Sequence, residues 1–427
     1  MRTNRIVVSV ALVALAILGS TAPASAQLAN ASAATLGLSG NNTATVRGFG
    51  AISVNPAGLG MPGSGFSLSF APIQIRSGLD PIRLGDFADF QDMVIPAATK
   101  EAWLSEIVAN GGQTGSAGLD VSAIAATFGS IGFQLSTVVA MDLNLPAGIA
   151  EALLFGNGGR TGTASDLSLA GASVNGAAVT TGGLSIAIPI SNPGADVAIG
   201  ATVKYSVGHG VAVGRTTTGT VTANPITVDV DFPVVHTNED EAANSGSGVG
   251  LDVGFMLKQG ALSVGASVQN VLNTFEWDTS KLDYRPVEAD FSTGSSSSRV
   301  DDLLPYSGAP AVLQAAVEAQ TFKPTLRVGA ALDVSDDFTV SGDLHSRFSD
   351  EALALEPKFH LGAGAEFRGL KVIHLRGGAA VITDGIQYSG GASLVLGPVN
   401  LSAAGAYQTG DLGENVLGQF TLSFGGR

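Results

Sequence analysis

From about residue 64 to the C-terminus, large apolar residues recur at every second position in runs of roughly nine to eleven residues, the length at which a tilted strand crosses the hydrocarbon layer of a bilayer. Val249, Leu251, Val253, Phe255 and Leu257 share one face of such a run, while Gly250, Asp252, Gly254 and Lys258 take the other. Leu326, Val328, Ala330, Leu332 and Val334 oppose Arg327, Gly329, Ala331 and Asp333, and Phe359, Leu361, Ala363, Ala365 and Phe367 oppose His360, Gly362, Gly364, Glu366 and Arg368. A soluble sheet seals its apolar face against a second hydrophobic layer. Here the second face is glycine, alanine, serine and scattered charge, which suits a watery or plugged lumen. The reading is all-β: a transmembrane antiparallel β-barrel of about fourteen strands, with an N-terminal plug and short helices in its loops.

The first residues carry the three parts of a secretory signal: Arg2 and Arg5, an apolar run from Ile6 to Leu18, and small residues Ala24, Ser25 and Ala26 before Gln27. Cleavage is expected after Ala26, giving a signal peptide over 1–26. About thirteen apolar residues fall short of the roughly 20 that a spanning helix needs, and no later stretch is longer, so any crossing is by strands. Without cysteine there is no disulfide framework, thiolate nucleophile or lipidation site. A formal charge of -15 argues against nucleic acid as a partner, since phosphate contacts need clustered Lys and Arg. The 57 glycines would suit a disordered or fibrous chain, but sustained alternation and 45% hydrophobic content argue for a fold.

Residues 27–63 are rich in Ala, Gly, Asn and Ser without alternation and read as a plug or hatch; the barrel then occupies 64–427, with long loops at 76–129 and 273–323. The first strand is short, with Phe66, Leu68 and Phe70 against Ser67 and Ser69. Helical spacing of Trp103, Leu104, Ile107 and Val108 predicts a helix over Thr99 to Asn110 capped by Thr99, and further short helices start near Pro146 and span Ala311 to Ala319. A second strand starts at Ile131. From Gly183 onward twelve more follow in hairpin order, one of them over 223–235.

No metal-binding His-Glu helix, phosphate loop or nucleophile elbow is present, so no catalytic residue, metal or cofactor is assigned. Asp343 and His345 lie two apart on one strand face, roughly 7 Å by strand geometry, and read as part of a polar ladder rather than a catalytic pair. That ladder comprises Lys204, Asp252, Lys258, Arg327, Asp333, Asp343, His345, Glu366, Arg368, His374 and Arg376 on the inward face. Opposite charges there are expected to pair across strands or with the plug, holding it seated. The acidic run Asn238 to Glu241 reads as a solvated loop.

Leu36-Gly37-Leu38-Ser39-Gly40, Arg47-Gly48 and Asn55-Pro56-Ala57-Gly58-Leu59-Gly60 resemble the N-terminal signature of the outer-membrane long-chain fatty acid transporter (FadL-like) superfamily and the related barrels of the PorV and TraF type. Echoes at Gly200 to Tyr205 and at Gln269 to Asn273 extend the resemblance loosely along the chain. It implies a fourteen-stranded barrel whose N-terminal segment folds inward as a hatch, with Asn55, Pro56 and Ala57 inside it. Pro56 would fix a bend, Asn55 would bond backbone around it, and Gly58 and Gly60 would allow close approach to the wall.

The expectation is a barrel in the outer membrane of a Gram-negative-type bacterium that passes or binds hydrophobic, fatty-acid-like small molecules without a chemical step. The alternative is a non-transporting barrel that serves as scaffold or shuttle in secretion or surface attachment. Expected partners are membrane lipid and either hydrophobic small molecules or a secretion-system protein.

Overall fold

The computed structural model describes residues 28–425 except 89, 157–159, 162–165, 217, 293–294, 301, 350–356, 384 and 410–413. The expected signal segment lies outside the described residues. Fourteen alternating segments form strands: β1 (Ser67–Asp80), β2 (Gln113–Phe128), β3 (Ile131–Leu145), β4 (Ser173–Asn192), β5 (Ala195–Arg215), β6 (Gly246–Gln259) and β7 (Leu262–Asn273). The others are β8 (Thr325–Ser335), β9 (Phe338–Arg347), β10 (Phe359–Leu370), β11 (Ile373–Ile382), β12 (Gly385–Leu396), β13 (Val399–Gln408) and β14 (Asn415–Gly425). Each pairs antiparallel with the next, and β14 closes the ring on β1, with Phe424 opposite Leu68 and Phe420 opposite Ile73.

Closure removes every sheet edge from the barrel wall, which a bilayer demands because it offers no water to unpaired backbone. The faces follow the alternation. Val253, Leu332 and Leu361 point outward at 36%, 46% and 54% exposure, whereas Lys204, Asp252 and Asp343 point inward and are buried. Six tight turns gather at one end of the barrel; those at Gly194 and Gly260 use a positive φ, as two-residue hairpin turns require. All the long connections gather at the other end.

The helices are α1 (Ala33–Gly37) and α2 (Ala51–Val54) before the barrel, α3 (Leu84–Ala88) and α4 (Ala97–Asn110) after β1, α5 (Ala147–Phe155) after β3, and α6 (Ala311–Ala319) before β8. Among the described residues no helix is long and apolar enough to cross a membrane. α4 begins after Pro96 rather than at Thr99, which sits within its first turn; proline's fixed φ starts the helix, and Gly111 in the left-handed region ends it. Trp103, Leu104 and Ile107 of α4 pack with Ala150 of α5 and with Ile82.

Two expectations need correction. The loop expected over 76–129 is shorter, because β1 runs on to Asp80 and β2 fills Gln113–Phe128. Bulges hid both. The register shifts between Phe70 and Ile73 and between Ser122 and Ile124, so the outward set changes parity in mid-strand and a fixed two-residue period fails. Residues 223–235 do not cross the barrel. They contribute to Gly219–Ala223 and Ile226–Asp231, two strands of a separate five-stranded sheet above the mouth, joined by Glu288–Ser292, Ser295–Ser298 and Leu167–Ser168. Alternation there is real, but Pro225 and Pro233 bound a strand of 6 residues, too short to span.

The connection from β7 to β8 folds back over the mouth. Phe275, Trp277, Leu282, Tyr284, Leu313, Val317 and Phe322 pack on Val138, Val179, Val211 and Val213 of the inner wall. Leu313, Ala316 and Val317 form the buried stripe of α6. Fully burying one such side chain stabilises by about 1.5–3 kcal/mol, enough to hold this loop as a lid.

Candidate functional site: the plugged lumen

Residues 28–60 lie inside the ring as a chain of short turns. Their sequence explains this local structure: small residues permit close packing, and polar ones satisfy the backbone that such short helices leave unbonded. Asn55 ties three stretches of backbone together. Its Oδ1 accepts from Ala57 N–H at 3.2 Å, while its Nδ2 donates to Thr43 O at 3.0 Å and to Phe255 O of β6 at 3.1 Å. Pro56 opens the tight turn over Pro56–Gly60. Gly200 of β5 and Gly254 of β6 face this block, and a methyl group on either would collide with Pro56, Ala57 or the Asn55 side chain. On the plug side, a methyl at Gly58 would strike Val46 O.

The plug is bound all around its circumference by neutral donors. Gln134 of β3 reaches Ala29 O at 2.7 Å, Ser267 of β7 reaches Val54 O at 2.8 Å, and Gln419 of β14 reaches Asn30 O at 2.8 Å. Ser389 of β12 donates to Gly37 O at 3.0 Å. Charge in the sequence does not reveal these contacts; serine, threonine and glutamine at inward parity are the signal that would.

The charged ladder is inward-facing, but its ion pairs join wall to wall. Lys204 Nζ meets Asp252 Oδ1 at 2.5 Å, Lys258 meets Asp333 at 2.6 Å, and Glu366 binds Arg368 at 3.1 Å and Arg376 at 2.7 Å. Arg47 is the one charged side chain over 28–63. It donates to Val46 O at 2.8 Å and lies against Met256 Sδ, making no ion pair with the ladder. Asp343 does engage the plug: its Oδ2 accepts Thr43 N–H at 2.8 Å and lies 3.3 Å from His345 Nε2, so these two side chains are closer than bare strand spacing suggests. His360, which the ladder omitted, bonds Asn41 Oδ1 at 3.0 Å.

Between the plug and the inner wall remains a cavity of about 80 Å³, lined by Asp120, Arg327, His345, His360, Gln387 and Gln408 among others. Its lining mixes these polar groups with Leu28, Leu36 and Leu417, and it is smaller than a ligand pocket of roughly 300 Å³ or more. Within the lid, burial raises the Tyr284 and Tyr306 hydroxyl pKa values, so both stay neutral hydrogen-bonding groups. Among the described residues no group of His, Asp and Glu has the arrangement of a metal site.

An apolar exterior, a closed fourteen-stranded wall and a lumen stopped by the chain's own N-terminal segment define a plugged transmembrane β-barrel. Over residues 97–344 the sequence matches the family described as F plasmid transfer operon, TraF, protein, and the chain belongs to that family. No curated protein matches the sequence. The fold is similar to that of the Ralstonia pickettii toluene transporter TbuX, with a TM-score of 0.52 at 13% identity over 92% of this chain and 98% of that one. The Pseudomonas putida toluene transporter TodX aligns with a TM-score of 0.49 at 10% identity, over 95% of this chain and 99% of that one. A Pseudomonas aeruginosa FadL homologue aligns at 0.43 and 10%, over 94% of this chain and all of that one.

Proposed function

We propose that the chain is an outer-membrane barrel for passive movement of hydrophobic small molecules, opened by displacement of residues 27–63 acting as a hatch. The observation that carries this reading is the seating of the plug. It is held by exchangeable hydrogen bonds from Ser, Gln and His side chains, which water can replace at a net cost of only about 1 kcal/mol each. Its apolar contacts with the wall are mainly to small residues: Ile52, Leu59 and Met61 cluster with Ala187 of β4, Ala198 of β5 and Met256 of β6. Exposed Leu303 and Val312 on the connection that covers the mouth supply apolar surface on which a hydrophobic solute can collect. The likeness to the toluene transporter of R. pickettii supports the same reading at the level of fold. No step of bond making is involved.

A second reading is favoured by the family's plasmid-transfer name and by the small size of the cavity: a barrel that serves as scaffold for a secretion or transfer assembly. The two separate in one experiment. Cells expressing the protein are given labelled toluene or a long-chain fatty acid, and the detergent-solubilised barrel is purified in parallel. Transport predicts faster uptake than vector-only cells; a scaffold predicts unchanged uptake and a co-purifying protein.

A further inference from the structure

We propose that Asn270, held by Lys204 and Asp252, is a positioning residue that sets Gln269 and Ser267 of the wall against the plug, an inference that rests on the plug being the moving part. α2 ends at Val54, and the carbonyls of Ile52, Ser53 and Val54 stand at its end, where the helix itself supplies no donors. The wall supplies them. Gln269 Nε2 of β7 donates to Ser53 O at 2.5 Å, Ser267 Oγ of β7 donates to Val54 O at 2.8 Å, and Thr202 Oγ1 of β5 lies 3.4 Å from Ile52 O. Gln269 and Asn270 are both buried.

The bend that aims Gln269 departs from regular strand pairing. In the β6–β7 ladder Val268 is opposite Val253 and Leu272 is opposite Leu251, so Gln269, Asn270 and Val271 share the place of Asp252 alone. The β7–β8 ladder also stops at Gln269, opposite Thr325. Asn270 has a φ of +57°, in the left-handed region that asparagine tolerates better than most residues. Its backbone N–H is taken by Asp252 Oδ1 at 2.7 Å, while its side-chain Oδ1 accepts from Lys204 Nζ at 2.6 Å. Lys204 and Asp252 close the triangle at 2.5 Å. A buried ion pair is weak evidence for stability, because desolvation offsets its attraction. The work of this pair is geometric: it grips Asn270 by backbone and by side chain, and so holds the neighbouring Gln269 on the plug. Asp252 also stands directly opposite Thr202, so the same triangle borders all three side chains that meet the end of α2.

The chain has no cysteine, so one introduced thiol reads one place. Ser53 is buried and its hydroxyl has no hydrogen-bond partner among the described residues, which makes Ser53→Cys a mild probe of this seat. Ser39→Cys, where Ser39 bonds Ser389 of β12, probes the plug elsewhere. Rates of reaction with a water-soluble maleimide are measured in the full-length barrel in detergent, beside its stability in urea. In Lys204→Met/Asp252→Leu the Ser53 thiol is expected to react about fivefold faster, the factor that one hydrogen bond of ordinary net strength gives, with most of the stability kept and the Ser39 thiol unchanged. Gln269→Met should give the same rise, and combining it with the double variant should add nothing further. A Ser53 rate equal to the parent's, or an equal rise at Ser39, overturns the proposal, since the pair would then serve the fold as a whole. Should the double variant fail to fold, Asn270→Ala against Asn270→Gly decides. Both lose the side chain, but only glycine takes the left-handed bend without strain, so faster labelling in Asn270→Ala supports the proposal and equal rates overturn it. Labelling reads the seat whether or not a solute crosses, so absent hydrocarbon uptake would refute transport and leave the positioning role standing.

Discussion

Lys204 and Asp252 form the most deeply buried ion pair of the wall, with side chains 1% and 4% exposed and 2.5 Å between Nζ and Oδ1. Asn270 completes the group, accepting from Lys204 at 2.6 Å and donating its backbone N–H to Asp252 at 2.7 Å. At that separation and an effective dielectric of about 20, the attraction is roughly 7 kcal/mol. Desolvation costs several kcal/mol for each ion, so the intact pair is close to neutral for stability. Removing one partner is different, because the attraction goes and one buried charge stays. Lys204→Met is expected to cost about 3–5 kcal/mol, and Asp252→Leu a similar amount, while Lys204→Met/Asp252→Leu recovers most of the loss. Urea unfolding of the barrel in detergent, followed by tryptophan fluorescence and the heat-dependent shift on gels, gives the cycle. Single variants costing under about 1 kcal/mol and adding without coupling would refute the reasoning, since they would mean that water reaches the pair.

Asn55→Ala removes three hydrogen bonds, those to Thr43 O and Phe255 O and that from Ala57 N–H; a loosening of roughly 2 kcal/mol is expected, read as higher planar-bilayer conductance. Gly200→Ala drives a methyl into the Pro56–Ala57 backbone and should likewise raise conductance, at a cost of about 1–3 kcal/mol. The Arg327, Arg368 and Arg376 triple alanine variant should leak less than Asn55→Ala, because Arg368 and Arg376 bind Glu366 of the wall rather than the plug. Leu361→Arg, on the lipid face, should cost about 2–4 kcal/mol if it lies near the bilayer midplane, measured as lost folding yield into vesicles.

The wall was legible wherever one parity of residues stayed outward. β6, β8 and β10 repeat large and small residues without interruption, and their bounds in the sequence and in the structure nearly coincide. Strands with bulges were not legible, because one extra residue exchanges the two faces; β2 was taken for loop on that account. The first half of β4, with Gly176, Ala177 and Ala178, lacked the side-chain contrast that alternation needs. The expected total of fourteen strands nevertheless agrees with the structure, because 223–235 alternates without crossing and β2 crosses without a fixed alternation. In the lumen, inward charge was visible residue by residue from parity. Which charges pair with each other and which with the plug depends on the stagger between strands, and no local pattern carries that. Apart from Asp343, the plug's polar moorings are Ser, Gln, Asn and His side chains, ordinary in composition and specific only by position.

The central claim is that the apolar parity faces lipid and the opposite parity faces the plugged lumen. Single cysteines placed in turn at 359 to 367 along β10 and carrying a nitroxide label, with the barrel in lipid vesicles, test it by collision with oxygen, which partitions into acyl chains. Oxygen accessibility is expected to alternate with a period of two, high at 359, 361, 363, 365 and 367 and low between them, consistent with Leu361 at 54% exposure and His360 at 4%. Uniformly low accessibility at Leu361 and its same-parity neighbours would mean that this face is buried against another layer of protein, and would contradict the barrel.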